Sequence, residues 1–378
     1  MKILILFRWT IDPMQGGVER VYHNLAGEFA RMGVEISAHY RVSSDYDKDN
    51  AYHSIFLSKF REDEKVRIRE EICDIIKQYG ITHVIMPYQI PLYFFVCEEV
   101  AKHCKLFVHV HNDPRFLFGY PIKLLKKMRF SKGAIDTISN AYHRWVKFGP
   151  SFSILAKNGA TIVLLSEAFK DDFKKAVRVT DENIISIANP FIIEKSAVLT
   201  PKEKILLYVG RLSEKQKRVS SLLKIWGFLQ NKISDYSLEI VGDGPSKTEY
   251  IRYAKENHLE RVTFRGFATP TEYYRKSPVC LMTSNYEGFS MVLVEAMSYG
   301  AVPFAFDSYP SLGDIIDDGI NGYKVTPFDE HEYADKILSF LALPDEKKNV
   351  IRANAIQKAS MFDVKVIARK WIELMQMA

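Results

Sequence analysis

The sequence predicts an α/β fold with two Rossmann-like halves in tandem. Short aliphatic and β-branched runs alternate with segments of helical period along nearly the whole chain, which is typical of parallel sheets covered by helices. The alternation restarts after a polar stretch at residues 195–204. A length of 378 residues suits two domains with separate cores, and 47% hydrophobic with 26% charged residues is typical of a folded chain.

In the first half, residues 2–7 (KILILF) form the pattern of a buried parallel strand. Residues 18–32 carry apolar side chains at helical spacing, Gly33 supplies a helix stop, and residues 34–40 resemble the next strand. Four further strands are predicted at residues 82–86, 106–111, 161–165 and 184–187.

In the second half, a helix is predicted at residues 219–230. Five strands are predicted at residues 205–209, 237–241, 262–264, 279–283 and 302–306. The chain has no repeat of 20–50 residues, so a solenoid is excluded. Because ligands of open α/β sheets bind at the carboxyl ends of the strands, functional residues are expected just after strands.

Composition narrows the class of protein. The four cysteines show no metal-binding spacing and suit a reducing cytoplasm. The apolar start is too short for a signal sequence and is followed by Arg8 and Asp12, while the longest apolar run, 91–97, is far below the ~18 residues of a spanning helix. We therefore expect a cytoplasmic protein without a membrane span. A net charge of +6 suits nucleic acid, an anionic membrane or a phosphorylated ligand.

The strongest chemical signal follows the predicted strand 279–283. A turn carries Glu287 and Gly288, and a helix begins near Ser290. The free N–H groups and positive dipole end of that helix suit a diphosphate. Glu295 lies at most about 12 Å further along the helix axis. Two carboxylates that flank an anion site suit a nucleotide sugar, which has a hydroxyl-bearing ring on each side of its pyrophosphate. The alternative is an ordinary loop carboxylate and an ordinary helix residue.

A second signal is the basic segment 210–218, directly after the first strand of the second half. The planar fork of Arg211 and the point charges of Lys215 and Lys217 can neutralise a departing diphosphate, a role that a metal plays in other phosphate enzymes. The alternative is a solvated loop.

The first half carries two weaker signals after strands. Gly16 and Gly17 let a ligand approach the backbone closely, although they also suit a tight turn, and the segment is not the glycine pattern that binds NAD. His109 and His111 lie on the same face of a strand. A zinc site lacks further clustered ligands. One buried, hydrogen-bonded histidine is the alternative.

Five motifs occur in order along the chain: Gly210-Arg211-Leu212 with a following lysine, Gly242-Asp243-Gly244-Pro245, Phe264-Arg265-Gly266-Phe267, Glu287 with Glu295 in Glu-Ala-Met, and Asp318-Gly319-Ile320-Asn321-Gly322. This set resembles the retaining GT-B glycosyltransferases of the group 1 family over essentially the whole chain. The resemblance implies two Rossmann-like domains facing across a cleft. It implies an acceptor-binding domain at residues 1–195, a nucleotide-sugar-binding domain at 200–358, and a helix at 360–378 that packs back on the first.

The resemblance also implies roles for residues of the second half. Arg211 and Lys217 contact the donor diphosphate, Glu287 binds hydroxyls of the donor sugar, and Glu295 binds the ribose. The backbone N–H groups implied to hold phosphate belong to Gly288, Phe289, Ser290, Met291 and Val292, and the segment implied to lie against the base is Gly266-Phe267. Family members usually have Lys-Gly where this chain has Lys217-Arg218, so Lys215 stays a competitor of Lys217.

In the first half, the resemblance implies that Gly16-Gly17 lies near the acceptor and the donor phosphate. It places a histidine near the reacting carbon of the sugar. His111 fits that place better than His109, which remains the second choice.

The implied reaction moves a hexosyl unit from a nucleotide sugar, by family habit a UDP-sugar, to a hydroxyl of a cell-envelope glycan or glycolipid with retained anomeric configuration. No carboxylate is placed as a nucleophile near His111, so we expect a front-face mechanism. Arg211 and Lys217 can neutralise the charge of the leaving group, so no metal or other cofactor is expected. The alternatives are a sugar phosphorylase, a nucleotide-sugar epimerase, and a non-catalytic partner subunit. Retention of the Arg211, Lys217, Glu287 and Glu295 set argues against the last.

Residues 120–149 form a basic stretch with seven Lys or Arg and a single acid, Asp136, interleaved with aromatic residues. This composition favours docking on an anionic membrane surface, here the inner face of the cytoplasmic membrane, or on a phosphate-rich glycolipid. No recognised nucleic-acid-binding motif accompanies it, so a nucleic-acid partner is not expected. A solvated helix face is the alternative.

Overall fold

The computed structural model describes residues 1–6, 17–39, 65–87, 94–114, 149–177, 179–193 and 201–377. The chain divides into two compact units, one formed by Met1–Pro190 with Val364–Ala378 and the other by Phe191–Asp363. In the described residues, each unit is built on a six-stranded sheet in which every paired strand is parallel.

The strand order of the first unit is β2-β1-β3-β4-β5-β6. Its described elements are β1 (Lys2–Leu6), α1 (Gly17–Arg31), β2 (Glu35–His39), α2 (Lys65–Tyr79), β3 (His83–Pro87), α3 (Phe94–His103), β4 (Lys105–Val110), α4 (Gly149–Lys157), β5 (Thr161–Leu164), α5 (Lys170–Ala176) and β6 (Ile184–Ser186), with two short 3-10 turns at Glu167–Phe169 and Asp181–Asn183. The central strands are buried on both faces, which is why they read as continuous apolar runs rather than alternating ones.

A C-terminal helix, α14 (Val364–Met377), completes the first unit. Its buried residues Ile367, Trp371 and Met375 recur at helical spacing and pack into the same core as Leu25 and Phe29 of α1. This apolar stripe attaches the last helix to the first unit although the second unit lies between them in sequence. The boundary between the units lies at Asp363, a few residues after the predicted end of the second domain at 358.

The strand order of the second unit is β12-β11-β10-β7-β8-β9. Its described elements are β7 (Ile205–Val209), α6 (Glu214–Lys217), α7 (Val219–Leu229), β8 (Ser237–Val241), α8 (Lys247–Glu256), β9 (Val262–Gly266), α9 (Thr271–Lys276), β10 (Val279–Met282), α10 (Met291–Ser298), β11 (Val302–Phe306), α11 (Leu312–Ile315), β12 (Tyr323–Val325), α12 (Glu330–Leu341) and α13 (Asp345–Ser360). Trp226, Phe304, Tyr333 and Phe340 lie in its main apolar core.

The predicted α/β class with two Rossmann-like sheets is confirmed, and each predicted strand has a counterpart. The three-residue edge strand β12 was not predicted, because it is too short to show a period. The predicted basic stretch lies outside the described residues up to residue 148. In the ranges described, no helix combines the length and the apolar character needed to cross a membrane.

Candidate active site

The turn between β10 and α10 presents unused backbone donors. β10 is buried throughout and ends at Met282, and α10 begins at Met291. The N–H groups of Gly288, Phe289, Ser290 and Val292 donate to no acceptor in the described part of the chain, whereas that of Met291 donates to the Phe289 carbonyl at 2.9 Å. Because the positive end of the helix dipole adds to these donors, the turn can hold an anion.

A lysine and a glutamate meet beside this turn. Lys217 Nζ lies 2.6 Å from Glu287 Oε1, and the two side chains are only 12% and 9% exposed. Gln216 Nε2 donates to the other carboxylate oxygen at 3.4 Å. The structure thus brings a cation and a carboxylate together in a largely buried place, where each neutralises the other.

Backbone contacts set the position of Lys217. Its N–H donates to the Ser213 carbonyl at 2.8 Å, and its carbonyl accepts from Thr283 Oγ1 at 3.0 Å. The Asn285 N–H donates to the carbonyl of the preceding Gln216 at 2.7 Å. The short helix α6 is therefore tied to the carboxyl end of β10. Lys215 lies on the exposed side of the same helix, so the structure brings Lys217 to Glu287 and leaves Lys215 outside.

Arg211 follows β7 through Gly210, and its side chain is exposed. Its guanidinium makes no hydrogen bond or ion pair with the described residues. Two glycines keep the loop close to its neighbour after β8: a Cβ on Gly242 would lie 1.9 Å from the Gly210 carbonyl oxygen, and one on Gly244 would lie 2.4 Å from that of Leu212. Glycine is required there because any side chain would force the two loops apart.

Arg218, which stands where members of the family that the sequence resembles usually have glycine, adopts φ +46° and ψ +50°. This left-handed conformation explains the glycine preference at the position. Its guanidinium lies 4.4 Å from the centre of the Phe328 ring, and its Nε donates to Ser221 Oγ at 2.8 Å. The guanidinium also lies 4.0 Å from Glu330 Oε1, so the side chain is engaged by three neighbours.

Glu295 lies within α10 and is buried. The phenol of Tyr274, on α9, donates to Glu295 Oε2 at 3.1 Å. Burial, and then the charge of Glu295, raise the pKa of the Cys280 thiol to about 12. The carboxylate is therefore held in the interior of the unit by a neutral donor from a neighbouring helix.

Phe267 follows β9 and is 82% exposed, an unusual state for a large apolar ring. Gly266, just before it, has φ +73° and accepts a hydrogen bond from the Gly242 N–H at 2.7 Å. Asp243 and Lys247 form an ion pair of 2.7 Å nearby. The segment offers a planar apolar surface at the carboxyl edge of the sheet.

Sequence reasoning missed three tyrosines near the carboxylates. Burial, together with the charge of Glu287, raises the pKa of Tyr208 and of Tyr309 well above its ordinary value. The Tyr309 hydroxyl lies 2.6 Å from Ser290 Oγ. The third tyrosine is Tyr274, whose phenol donates to Glu295. Tyr309 follows β11, so the rule that functional residues come after strands was the one available signal for it.

In the first unit, Tyr22 of α1 bridges the two candidate histidines. Its hydroxyl lies 2.7 Å from His109 Nδ1 and 3.0 Å from His111 Nε2. His109 is fully buried and packs edge-on against Trp371 at 5.2 Å, whereas His111 retains 8% exposure. Both lie on one face of the strand end, as alternation predicts, and His109 has the surroundings of a core residue.

Both imidazoles are held in the neutral form. Burial and the neighbouring His111 lower the pKa of His109 well below its ordinary value. Burial lowers the pKa of His111 to about 3, and the Asn189 side chain opposes that shift. Gly17 opens α1, and no atom that the structure describes lies within 4 Å of where its Cβ would stand; Gly16 lies outside the described residues. The described residues include no group of three side chains able to hold a metal.

The fold is similar to the GT-B fold of solved glycosyltransferases. The apo structure of the lipopolysaccharide outer core galactosyltransferase WaaB is similar to it with a TM-score of 0.71 and 19% identity over 99% of this chain and 98% of that one. The Anabaena protein HepE, solved in complex with UDP, is similar with a TM-score of 0.73 and 18% identity over the whole of both chains. At these identities the likeness concerns the fold.

Residues 191–358 match the family described as "Glycosyl transferases group 1". This range lies within the second unit and fills nearly all of it. The amylovoran biosynthesis glycosyltransferase AmsD of Erwinia amylovora is 31% identical over 223 residues, which are 57% of this chain and 61% of AmsD. The chain thus aligns with less than two thirds of that relative.

Proposed function

We propose that this protein is a retaining glycosyltransferase that moves a hexosyl unit from a nucleotide sugar to a hydroxyl of a cell-envelope glycan or glycolipid. The observation that carries the proposal is the buried Lys217–Glu287 pair beside the unused N–H groups before α10. The names of AmsD, which concerns amylovoran biosynthesis, and of WaaB, which concerns the lipopolysaccharide outer core, support the choice of acceptor class. The UDP complex of HepE supports a UDP-sugar as donor.

The donor has a charged diphosphate and polar sugar hydroxyls, and each of them matches one kind of group in the site. The diphosphate accepts hydrogen bonds from the unused N–H groups, and sugar hydroxyls donate to Glu287. Those N–H groups belong to Gly288, Phe289, Ser290 and Val292. When these hydroxyls occupy the carboxylate, the Lys217 ammonium can shift its contact to the diphosphate. Free protein and donor complex then each have a partner for both buried charges.

Departure of the diphosphate is the step that these charges assist. Negative charge develops on the leaving oxygen as the bond to the anomeric carbon breaks, and Lys217, Arg211 and the helix terminus stabilise it in a place with little water. The leaving oxygen then accepts the proton of the attacking hydroxyl on the same face of the sugar. This charge balance needs no metal ion.

His111 enters the proposal as a neutral group. A histidine with a pKa of about 3 carries no charge near pH 7 and is a weak base. It is therefore proposed to hydrogen-bond to a sugar hydroxyl, as the resemblance implies, and not to remove the acceptor proton. As the resemblance implies, Gly16 and Gly17 are proposed to lie near the donor phosphate and the acceptor. Phe267 is proposed to lie against the base.

A two-stage assay tests the function. UDP-sugars and GDP-sugars are first screened by thermal shift, since a ligand that binds only the folded state raises the melting temperature. The stabilising donor is then incubated with glycan acceptors, and release of nucleoside diphosphate is measured with transfer of the sugar. We expect both products in equal amounts, undiminished by excess EDTA. Cleavage of a glycan by inorganic phosphate to sugar 1-phosphate, with no nucleoside diphosphate released, would indicate a phosphorylase. Binding without single-turnover transfer would indicate a non-catalytic partner.

A further inference from the structure

Lys202, three residues before β7, ties two helix ends together. Its partly buried ammonium donates to the carbonyl oxygens of Tyr274 at 3.0 Å, Arg275 at 2.9 Å and Tyr299 at 2.7 Å. The first two lie in the last turn of α9, and Tyr299 caps α10. Carbonyls at helix C-termini carry the negative end of the dipole and lack partners within the helix. One ammonium thus satisfies three of them with its three protons.

The same two helices are linked a second time by side chains. The Tyr274 phenol donates to Glu295 Oε2 on α10 at 3.1 Å, and its ring stacks on that of Tyr299 with 6.1 Å between centres. Tyr274 is therefore held at its backbone by Lys202 and holds Glu295 with its hydroxyl. Tyr299, the other anchor of Lys202, follows Glu295 by one helical turn.

The surroundings of Lys202 do not favour a positive charge. The site borders a cavity of about 410 Å³ at the amino ends of the strands, which Arg352 also lines. Burial, and then the charge of Arg352, lower the pKa of Lys202 to about 7. A charged group in such a place adds little to the free energy of unfolding. The main effect of Lys202 is therefore that its three hydrogen bonds hold the ends of α9 and α10 in place.

We propose that Lys202 and Tyr274 are positioning residues that hold the Glu295 carboxylate in the orientation in which it recognises the ribose hydroxyls of the nucleotide. This inference rests on the proposed function, in which Glu295 contacts the ribose. Tyr274 occupies one side of the carboxylate and so sets the direction of its remaining lone pairs. Lys202 sets the place of Tyr274 by fixing the end of α9 against the end of α10.

Ribose selectivity provides the test. UDP, 2′-deoxy-UDP and 3′-deoxy-UDP are titrated by calorimetry, with the GDP series in parallel. Because a hydrogen bond to a charged group is among the stronger ones, wild-type protein should bind the full nucleotide about 10- to 150-fold more tightly than the analogue that lacks the contacted hydroxyl. In Tyr274→Phe and Lys202→Met this ratio should fall to about threefold or less, mainly through weaker binding of the full nucleotide.

Matched controls separate positioning from general damage. Lys204→Met removes an exposed lysine two residues away that pairs with Asp235, and Tyr273→Phe alters the neighbouring residue of α9. Both should keep the wild-type ratio. A merely structural role would weaken full and deoxy nucleotides equally, and an unchanged ratio in Tyr274→Phe would overturn the inference.

The outcomes distinguish this inference from the proposed function. Wild-type protein that binds neither UDP nor GDP would refute both. A ratio that Glu295→Gln abolishes while Lys202→Met and Tyr274→Phe preserve it would refute the inference alone. If Lys202→Met does not fold, as judged by circular dichroism, Tyr274→Phe decides, because it removes a single oxygen atom.

Discussion

At the residue scale, the contribution of the buried Lys217–Glu287 pair to the free energy of unfolding does not by itself explain why the pair is there. Taking two charges out of water costs about as much as their attraction returns, so such pairs seldom add stability. The pair stands beside unused N–H groups, and both partners are neutralised before any ligand arrives. Charges held in such a largely buried place act more strongly on a bound substrate than charges in water would, because little solvent screens them.

Loss of one of these charges should therefore slow the proposed reaction strongly. We expect Lys217→Ala and Arg211→Ala each to lower turnover by roughly 10²–10³, the scale of losing one such group. Lys215→Ala, on the exposed side of the same helix, is the matched control and should change turnover less than about threefold. Rates are measured as nucleoside diphosphate release at saturating donor.

Arg211→Ala gives the cleaner result of the two, since Arg211 is exposed and its loss leaves no buried charge behind. Lys217→Ala strands Glu287 in the interior, so its melting temperature must be measured beside its rate. If Lys215→Ala is the slow variant, the diphosphate lies on the other side of α6.

At the scale of elements, the junction of α6 and α7 depends on one residue in an unusual conformation. Arg218 ends α6 and precedes α7 with a left-handed backbone, which places the two helices at a sharp turn. A residue with a Cβ pays about 1–2 kcal/mol for this conformation. The stacking on Phe328 and the hydrogen bond to Ser221 offset that cost.

Substitution at Arg218 should separate the backbone cost from the side-chain contacts. Arg218→Ala keeps the strained backbone and loses the contacts with Phe328, Ser221 and Glu330, so its free energy of unfolding should fall by about 1–2 kcal/mol. Arg218→Gly loses the same contacts but relieves the strain, so it should be about 1 kcal/mol more stable than the alanine variant. Urea unfolding measures both, and an alanine variant as stable as the glycine variant would contradict the structure at this turn.

At the scale of the whole molecule, the net charge of +6 is unevenly spread. Seven Lys or Arg fall within residues 120–149, where Asp136 is the single acid, although the two signs nearly balance over the chain. Each basic residue near an anionic bilayer contributes about 1 kcal/mol, so three or four engaged together give reversible docking. Docking there would serve a lipid-linked acceptor without a membrane-spanning segment.

Co-sedimentation with liposomes tests this docking. We expect the protein to pellet with anionic vesicles at low salt, to remain in solution with neutral vesicles, and to be released at high salt through screening. The triple variant Lys123→Glu/Lys126→Glu/Lys127→Glu should bind anionic vesicles less while its donor hydrolysis is unchanged. Wild-type protein that ignores anionic vesicles at low salt would mean that the basic stretch is a solvated face.

Much of the fold could be predicted because its signals are local. The buried run 2–7 and the helical spacing of 18–32 each depend on neighbours along the chain, and both elements form close to the predicted bounds. The strand-end rule also directed attention to Glu287. The choices between Lys215 and Lys217 and between His109 and His111 stayed open, because both members of each pair have equivalent local surroundings.

The sequence by itself determined the α/β class, the two sheets and the segments that follow their strands, since periodicity and glycine placement act over a few residues. Tertiary structure alone decided which side chains meet. Lys217 finds Glu287 seventy positions away, and Lys202 reaches carbonyls 72, 73 and 97 positions away. Such pairs form only when parallel strands bring distant loops to one edge of a sheet, and no pattern within a short window can carry that information.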